Sequence, residues 1–381
     1  MAIQKRVSRT GKTRWVARYR DPAGKERSKT FDTQKAAKIW LSEKQRDMAR
    51  GQWIDPTEGT VTLGALFGEW QEAATRTDTA NVRAYTKSNL GVLADMPIQT
   101  IRRSHIQTWV NGLADGTGSV SGKPLSPITV RTCLKHVSTV LSQAVFDRLI
   151  SVSPAQRIHT EPVSGAVEAD KIPTPSDVEA IIESAKGLRR KNADVLVMLL
   201  AATGMRSSEA CGLTKGDVDF LRRRIRIRRQ RSQDGTVAPL KTLSARRDVY
   251  LPEPLALRLS PLCDGDPNDP IFTNGDGAPW TRRSVSSIFH SIRRRTGMLY
   301  TAHSMRHFYA SGLIAHGVDV RSVQAALGHA SATVTLSTYA HLWPDSESRT
   351  ASAGDSLMRD ICGIEGKDGG NGAVNEQVRG G

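Results

Sequence analysis

The 381-residue sequence predicts a multidomain fold. It has a small β-sheet plus helix N-terminal module, an all-α four-helix domain, and an α+β, mainly helical domain with a small antiparallel sheet. Three observations lead there. The chain is too long for one small core, and two or three domains are expected at this length. Hydrophobic periodicity alternates near the N-terminus, turns helical after residue 60 and alternates again after residue 220. Two stretches read as linkers: "DPTEGTVT" (55–62), and residues 151–172 with Pro154, Pro162 and Gly165. The expected division is residues 1–58, 62–150, a linker at 151–172, 173–344, and a C-terminal tail at 345–381.

Residues 13–31, "TRWVARYRDPAGKERSKTF", read as two strands around a turn. Trp15, Ala17 and Tyr19 interleave with Arg14, Arg18 and Arg20. A helix from about Thr33 to Arg50, ended by Gly51, offers Ala37, Trp40, Leu41 and Met48 to cover the sheet. The arginines are left on the other face, suited to a DNA groove. Helical patterns follow at about 62–75, 78–93, 104–114 and 127–148, with Ser104 as an N-cap and Pro127 as a first-turn residue. On them Lys87, Arg131 and Lys135 are candidate phosphate contacts, with Arg102 and Arg103 nearby.

"TPSDVEAII" opens a further helix, and one mixed domain runs from there to about residue 344. Within it Ile225 and Ile227 alternate with Arg224, Arg226 and Arg228, a strand with one basic face. Residues 237–241 and 246–251 read as two more strands, with Lys241 at the tip of the hairpin between them. Asp345 to Cys362 has helical character, and Leu357, Met358 and Ile361 are available for docking. From Gly363 on, seven glycines in 19 residues give a composition expected to stay disordered.

Net charge is +16 and the pI about 10.0, which points to a polyanionic partner, most simply nucleic acid. The charge is concentrated. Residues 1–60 hold 15 Lys and Arg against 7 Asp and Glu, and "RRRIRIRRQR" (222–231) holds seven arginines. No apolar run is long enough for a membrane span, and the N-terminus lacks the apolar centre of a secretory signal. Cys133, Cys211, Cys263 and Cys362 form no CxxC pair, which suits a reducing cytosol. His303 and His307 are four apart but lack the glutamate of HExxH, and no acidic cluster offers an oxygen site, so no metal is expected.

The polar segment "GHASATVTLSTYAHL" (328–342) asks whether Tyr339 is there for its hydroxyl. Possible partners are scattered upstream. In "AATGMRSSEACGL" Arg206 stands at a helix start, and Glu209 three residues on is placed to orient its guanidinium. In "TAHSMRHFYASGLIAHG" His303 and Arg306 share a helix face. His329 directly follows the helix end at Gly328. Tyr309 is the competing nucleophile, read instead as a packing residue.

Taken in order, Arg206, Lys241, His303, Arg306, His329 and Tyr339 resemble the tyrosine recombinase (phage integrase) family. The matching contexts are "TGMRSSEACGL", "LKTLSARRDVYLP", "HSMRH", "ALGHAS" and "TYAH". The resemblance implies an arm-type DNA-binding module, a core-binding domain and a catalytic domain. It implies site-specific DNA recombination through a phosphotyrosine ester, without ATP or metal. Implied partners are double-stranded DNA at core and arm attachment sites, a homotetramer on that DNA, and a DNA-bending factor and excisionase. The implied compartment is the cytoplasm of a bacterial host.

Chemically, Arg206 and Arg306 can each donate paired hydrogen bonds to the nonbridging oxygens of a five-coordinate phosphorus. Lys241 can protonate the leaving 5′-oxygen. His303 can take the phenolic proton or hold a phosphate oxygen, and His329 can donate to that oxygen. Two alternatives share part of this evidence: a type IB topoisomerase, and a DNA-binding regulator without chemistry.

Overall fold

Alternation at the N-terminus builds three strands, one more than expected. The structure, a computed structural model, describes residues 2–7, 12–50, 53, 55, 60–240, 242–343 and 354–359. Strands β1 (Ala2–Val7), β2 (Thr13–Arg20) and β3 (Glu26–Phe31) form an antiparallel sheet in that order. The added strand, AIQKRV, is short and has its three polar residues in a row, so its sequence shows little periodicity. Helix α1 (Gln34–Ala49) starts at Thr33, whose side chain accepts the Ala36 N–H, and is closed by Arg50. Ala37 and Leu41 pack on Ala17, Tyr19, Trp15 and Phe31, with Trp40 edge-on to Tyr19 at 5.4 Å. The register places Arg6 opposite Arg14, so Arg6, Arg14, Arg18 and Arg20 share the sheet face away from α1.

Four helices follow: α2 (Leu63–Glu72), α3 (Thr77–Ser88), α4 (Arg103–Asp115) and α5 (Pro127–Phe146). They surround a core that includes Leu63, Phe67, Ile106, Trp109, Leu113, Val137 and Leu141. The α5 start is as read, with Ser126 capping and Pro127 in the first turn. The α4 start is not. Arg102 is the N-cap, its N–H donated to His105 Nδ1, and Ser104 lies inside the helix. The sheet module and these helices form one compact unit, residues 1–163, and residues 164–381 form a second.

The second unit begins inside the expected linker, because residues near its end are structural. Val167 is buried and donates its N–H to the Thr338 carbonyl. Helix α6 (Pro175–Lys186) is capped by Thr174 and Asp177, and α7 (Ala193–Thr203) forms the apolar centre. The four-residue α8 (Ser207–Ala210) leads to β4 (Val218–Asp219), β5 (Arg224–Ile227), β6 (Arg229–Arg231), β7 (Val237–Pro239) and β8 (Arg247–Tyr250). Then come α9 (Glu253–Leu259), α10 (Arg282–Thr296), α11 (Ala302–Ala315), α12 (Val320–Leu327) and α13 (Ala332–Tyr339).

Among the described residues, the strands on either side of Lys241 do not pair as expected. Strand β7 pairs with β6 in one ribbon, while β8 pairs with β5 in another sheet. Pro239 and the break in alternation after it end β7 early. Lys241 itself lies outside the described residues, as do Gly51, Ile361, Cys362 and the glycine-rich tail. Residues 354–359 are helical, with Leu357 and Met358 exposed. Among the described residues no helix is long and apolar enough to cross a membrane.

Candidate active site

A sharp reversal positions Arg206. Helix α7 ends at Gly204 with φ +59°, where a Cβ would come within 2.4 Å of the Tyr309 ring. Arg206 then caps α8. Its guanidinium donates to Glu209 Oε1 at 2.8 Å and its N–H to Oε2 at 2.9 Å, while the side chain stays 39% exposed. Glu209 therefore orients Arg206 as expected, but it is also buried and shared. Arg247 Nη2 donates to the same Oε2 at 2.9 Å. Burial opposes the charge on Glu209, yet Arg247 and Arg206 hold its carboxyl below the usual range.

Arg247 was not among the predicted residues. Its Nε donates to the Ala326 carbonyl and its Nη1 to that of Ala245, so it links Glu209 to the end of α12. The signal was available. Along β8 and the residue after it, Arg247, Val249 and Leu251 alternate onto one face, and two buried apolar residues imply that the arginine also faces inward.

Arg306, on α11, is 1% exposed. It donates to the Gly204 carbonyl and to the Leu327 carbonyl, each at 2.7 Å, joining the Arg206 turn to the end of α12. Burial, with repulsion from Arg206, pushes its pKa down to about 9. The site thus gathers three guanidiniums, Arg206, Arg247 and Arg306, around one carboxylate. A net charge of +2 remains, which favours an anionic ligand.

The histidines lie against this charge. His303, on the same α11 face, keeps an exposed edge, and burial of the rest with repulsion from Arg306 and Arg206 lowers its pKa. His329 follows Gly328, whose φ of +64° ends α12. Its Nδ1 is bonded to Thr335 Oγ1 at 2.9 Å, and burial, then Arg306 and Arg206, push its pKa down to about 4. Both shifts favour the neutral imidazole.

Tyr339 ends α13 and is 1% exposed, among Val167, Ala310, Ile314, Val323 and Leu327. Burial raises its pKa to about 12, opposed by Arg306. Its hydroxyl is bonded to His307 Nδ1 at 2.8 Å. The sequence offers His307 only as half of a metal-spaced pair, and the expected proton acceptor, His303, stands edge-on to the His307 ring at 4.6 Å. Tyr309 packs beside Tyr339 in the same apolar cluster. Of the six predicted residues, the structure gathers Arg206, His303, Arg306, His329 and Tyr339.

Predicted DNA contacts fare unevenly. Arg131 and Lys135 lie one turn apart on the exposed side of α5, and Lys87 is exposed in the last turn of α3. Arg20 is exposed, but Arg14 is paired with Asp32 and Arg18 with Glu26. Among the described residues no group of three or more His, Cys, Asp or Glu is arranged to hold a metal.

Comparison with known proteins adds to this geometry. Residues 172–345 match the phage integrase family, and residues 6–50 match the phage integrase N-terminal domain. A tyrosine recombinase XerC-like protein of Caldanaerobacter subterraneus is 25% identical over 382 residues, spanning 89% of this chain and 94% of that protein. The Tn1549 transposon integrase in complex with a circular intermediate DNA has a similar fold, with a TM-score of 0.63 and 21% identity. That match covers 78% of this chain and 99% of the integrase. A lambda integrase tetramer bound to a Holliday junction gives a TM-score of 0.55 at 17% identity, over 86% of this chain and 96% of that one.

Proposed function

We propose that this chain, which belongs to the phage integrase family of tyrosine recombinases, integrates a phage or other mobile element by site-specific recombination. The observation that carries the reading is the Arg206–Glu209–Arg247–Arg306 cluster, net positive, buried except at Arg206, with a tyrosine hydroxyl at its edge. A phosphodiester is the anion such a cluster is suited to take. Arg206 and Arg306 bind its nonbridging oxygens and neutralise charge that grows as phosphorus becomes five-coordinate. The tautomer in which His329 Nδ1 accepts from Thr335 leaves its Nε2–H to donate to the same oxygens. Tyr339 Oη attacks phosphorus, the P–O5′ bond breaks, and the 5′-oxygen takes a proton from Lys241. The 3′-phosphotyrosine ester keeps the energy of the broken bond, and attack by a 5′-hydroxyl reseals the strand.

The sheet face bearing Arg14, Arg18 and Arg20 serves arm-type sites. Lys87, Arg131 and Lys135 of the helical domain (62–150) hold core-site phosphates, and the domain at 173–344 cuts. Exchange of two duplexes needs four cuts, so the working form is a tetramer on DNA, with the segment from about Asp345 to Cys362 docking on a neighbouring subunit. A DNA-bending factor and an excisionase complete the reaction in a bacterial cytoplasm.

The test is a nicked duplex spanning the junction between element and chromosome. The wild-type protein should trap a covalent complex, with DNA on the peptide containing Tyr339 by mass spectrometry. Tyr339→Phe should bind the duplex and trap nothing. A complex that persists in Tyr339→Phe and vanishes in Tyr309→Phe would overturn the assignment.

A further inference from the structure

We infer that His307 is a catalytic residue that takes the Tyr339 proton as the nucleophile attacks. The inference rests on the reading of Tyr339 as the nucleophile. It starts from the 2.8 Å contact between His307 Nδ1 and the Tyr339 hydroxyl. That distance is within reach for direct proton transfer.

Placement supports the role. His303, Arg306 and His307 occupy positions i, i+3 and i+4 of α11, so one helical face carries both a phosphate-binding guanidinium and the base. A phosphate drawn to Arg306 is thereby brought toward the hydroxyl that His307 holds. The charged and titratable groups near His307 are His303 and Arg306 of its own helix, Lys171 ahead of α6, and Tyr339 of α13. Burial, with the cations among these, keeps the free imidazole neutral, so Nδ1 can accept while the phenol donates. An arriving phosphodiester brings negative charge to this surplus of cations and favours the imidazolium. In the step itself the O–H bond of Tyr339 breaks and its proton passes to Nδ1. The Oη–P bond forms and the P–O5′ bond breaks. On resealing, His307 returns the proton to the leaving phenolate.

The test uses the full chain and the nicked junction duplex. His307→Ala should bind with unchanged affinity and form the covalent complex about a hundredfold more slowly. Added imidazole should restore part of the rate, in proportion to its free base. Placing 3,5-difluorotyrosine at 339, a more acidic phenol, should shrink the His307→Ala defect. If His307→Ala melts early, His307→Gln supplies a hydrogen-bonding amide that cannot take the proton, and should be equally slow. Wild-type or faster cleavage by either variant would overturn the inference, showing packing or a restraint on the nucleophile. So would a defect that neither imidazole nor the acidic phenol reduces. Failure of the nucleophile assignment reads differently, as a covalent complex that survives Tyr339→Phe.

Discussion

Residues 222–231 carry seven arginines in ten positions, whereas the three guanidiniums of the candidate site come from widely separated stretches. The dense run looks like the functional one and is largely spent locally. Arg222 and Arg226 pair with Asp219, Arg223 with Glu253, Arg228 with Asp248, and Arg229 with Asp217. Arg231 donates to the Cys211 and Gly235 carbonyls. In the site, Arg306 is held by two neutral carbonyls, and Arg206 and Arg247 share one carboxylate. A guanidinium held by carbonyls keeps its charge for a ligand; one facing its own carboxylate has already lost most of it. Partner chemistry, rather than the number of arginines, separates the two regions.

The largest break in that contrast should come from Arg306→Ala. Removing a preorganised donor to a developing oxyanion typically costs ~10²–10³ in rate, so covalent-complex formation should fall at least that far while duplex binding persists. Arg306→Lys should not rescue it, since one ammonium cannot span the Gly204 and Leu327 carbonyls as the planar fork does. Single-turnover cleavage and a binding titration on the same preparation check both.

Glu209→Gln should come next, and it sharpens the comparison by removing the carboxylate that the site's arginines share. Leaving a buried charge without its partner costs about 3 kcal/mol or more, so thermal or urea unfolding should show a clear loss at neutral pH. The sign with pH follows from the lowered carboxyl pKa, where burial, the largest single effect, is overcome by Arg247 and Arg206 acting together. Stability from this group is complete above the unfolded value of about 4.3, and drains away as pH falls through the lower folded one. The variant's stability should therefore depend less on pH across that acid window. An equal acid slope in both proteins would remove Glu209 from the account.

Much of this was legible in the sequence, for a physical reason. Arg206, His303 and Arg306 sit at helix starts or on one helical face, and i, i+3 spacing converts directly into adjacency. The four helices of the first unit were readable from periodicity and from caps such as Ser126–Pro127. What escaped depends on contacts across the chain. Arg247 reaches Glu209 over 38 residues and Ala326 over 79. The bond between His307 and Tyr339 joins two helices, and His307 follows so closely on a stronger motif that it drew no separate notice. Pairing of β7 with β6 instead of β8 turned on register, which short strands with little alternation specify weakly.

The N-terminal sheet lies between the two extremes, because its arginines share one face but two of them have carboxylate partners. Both pairs are largely exposed, so they are weak and screened by salt, and phosphates can replace the carboxylates. Arg14→Ala with Arg18→Ala should lower the salt slope of arm-site binding by about 1.8, the counterions of two phosphate contacts. Core-site binding should not change. An unaltered arm-site slope would mean that Asp32 and Glu26 hold these arginines away from DNA.

The smallest effect is expected where the charge is densest. Arg226 and Arg228 lie on and beside β5, and each has an aspartate at hydrogen-bond distance. Exposed pairs contribute roughly 0–1 kcal/mol, and their loss opens no cavity because Ile225 and Ile227 fill the buried face. Arg226→Ala and Arg228→Ala, singly or together, should leave melting, cleavage and the core-site salt slope close to wild type. The outcome that matters is the slope. If it falls by about 0.9 for each substitution, these arginines leave Asp219 and Asp248 for phosphates on binding. Local carboxylates would then be placeholders for DNA, as at the N-terminal sheet, and the contrast between the two regions would rest on burial alone.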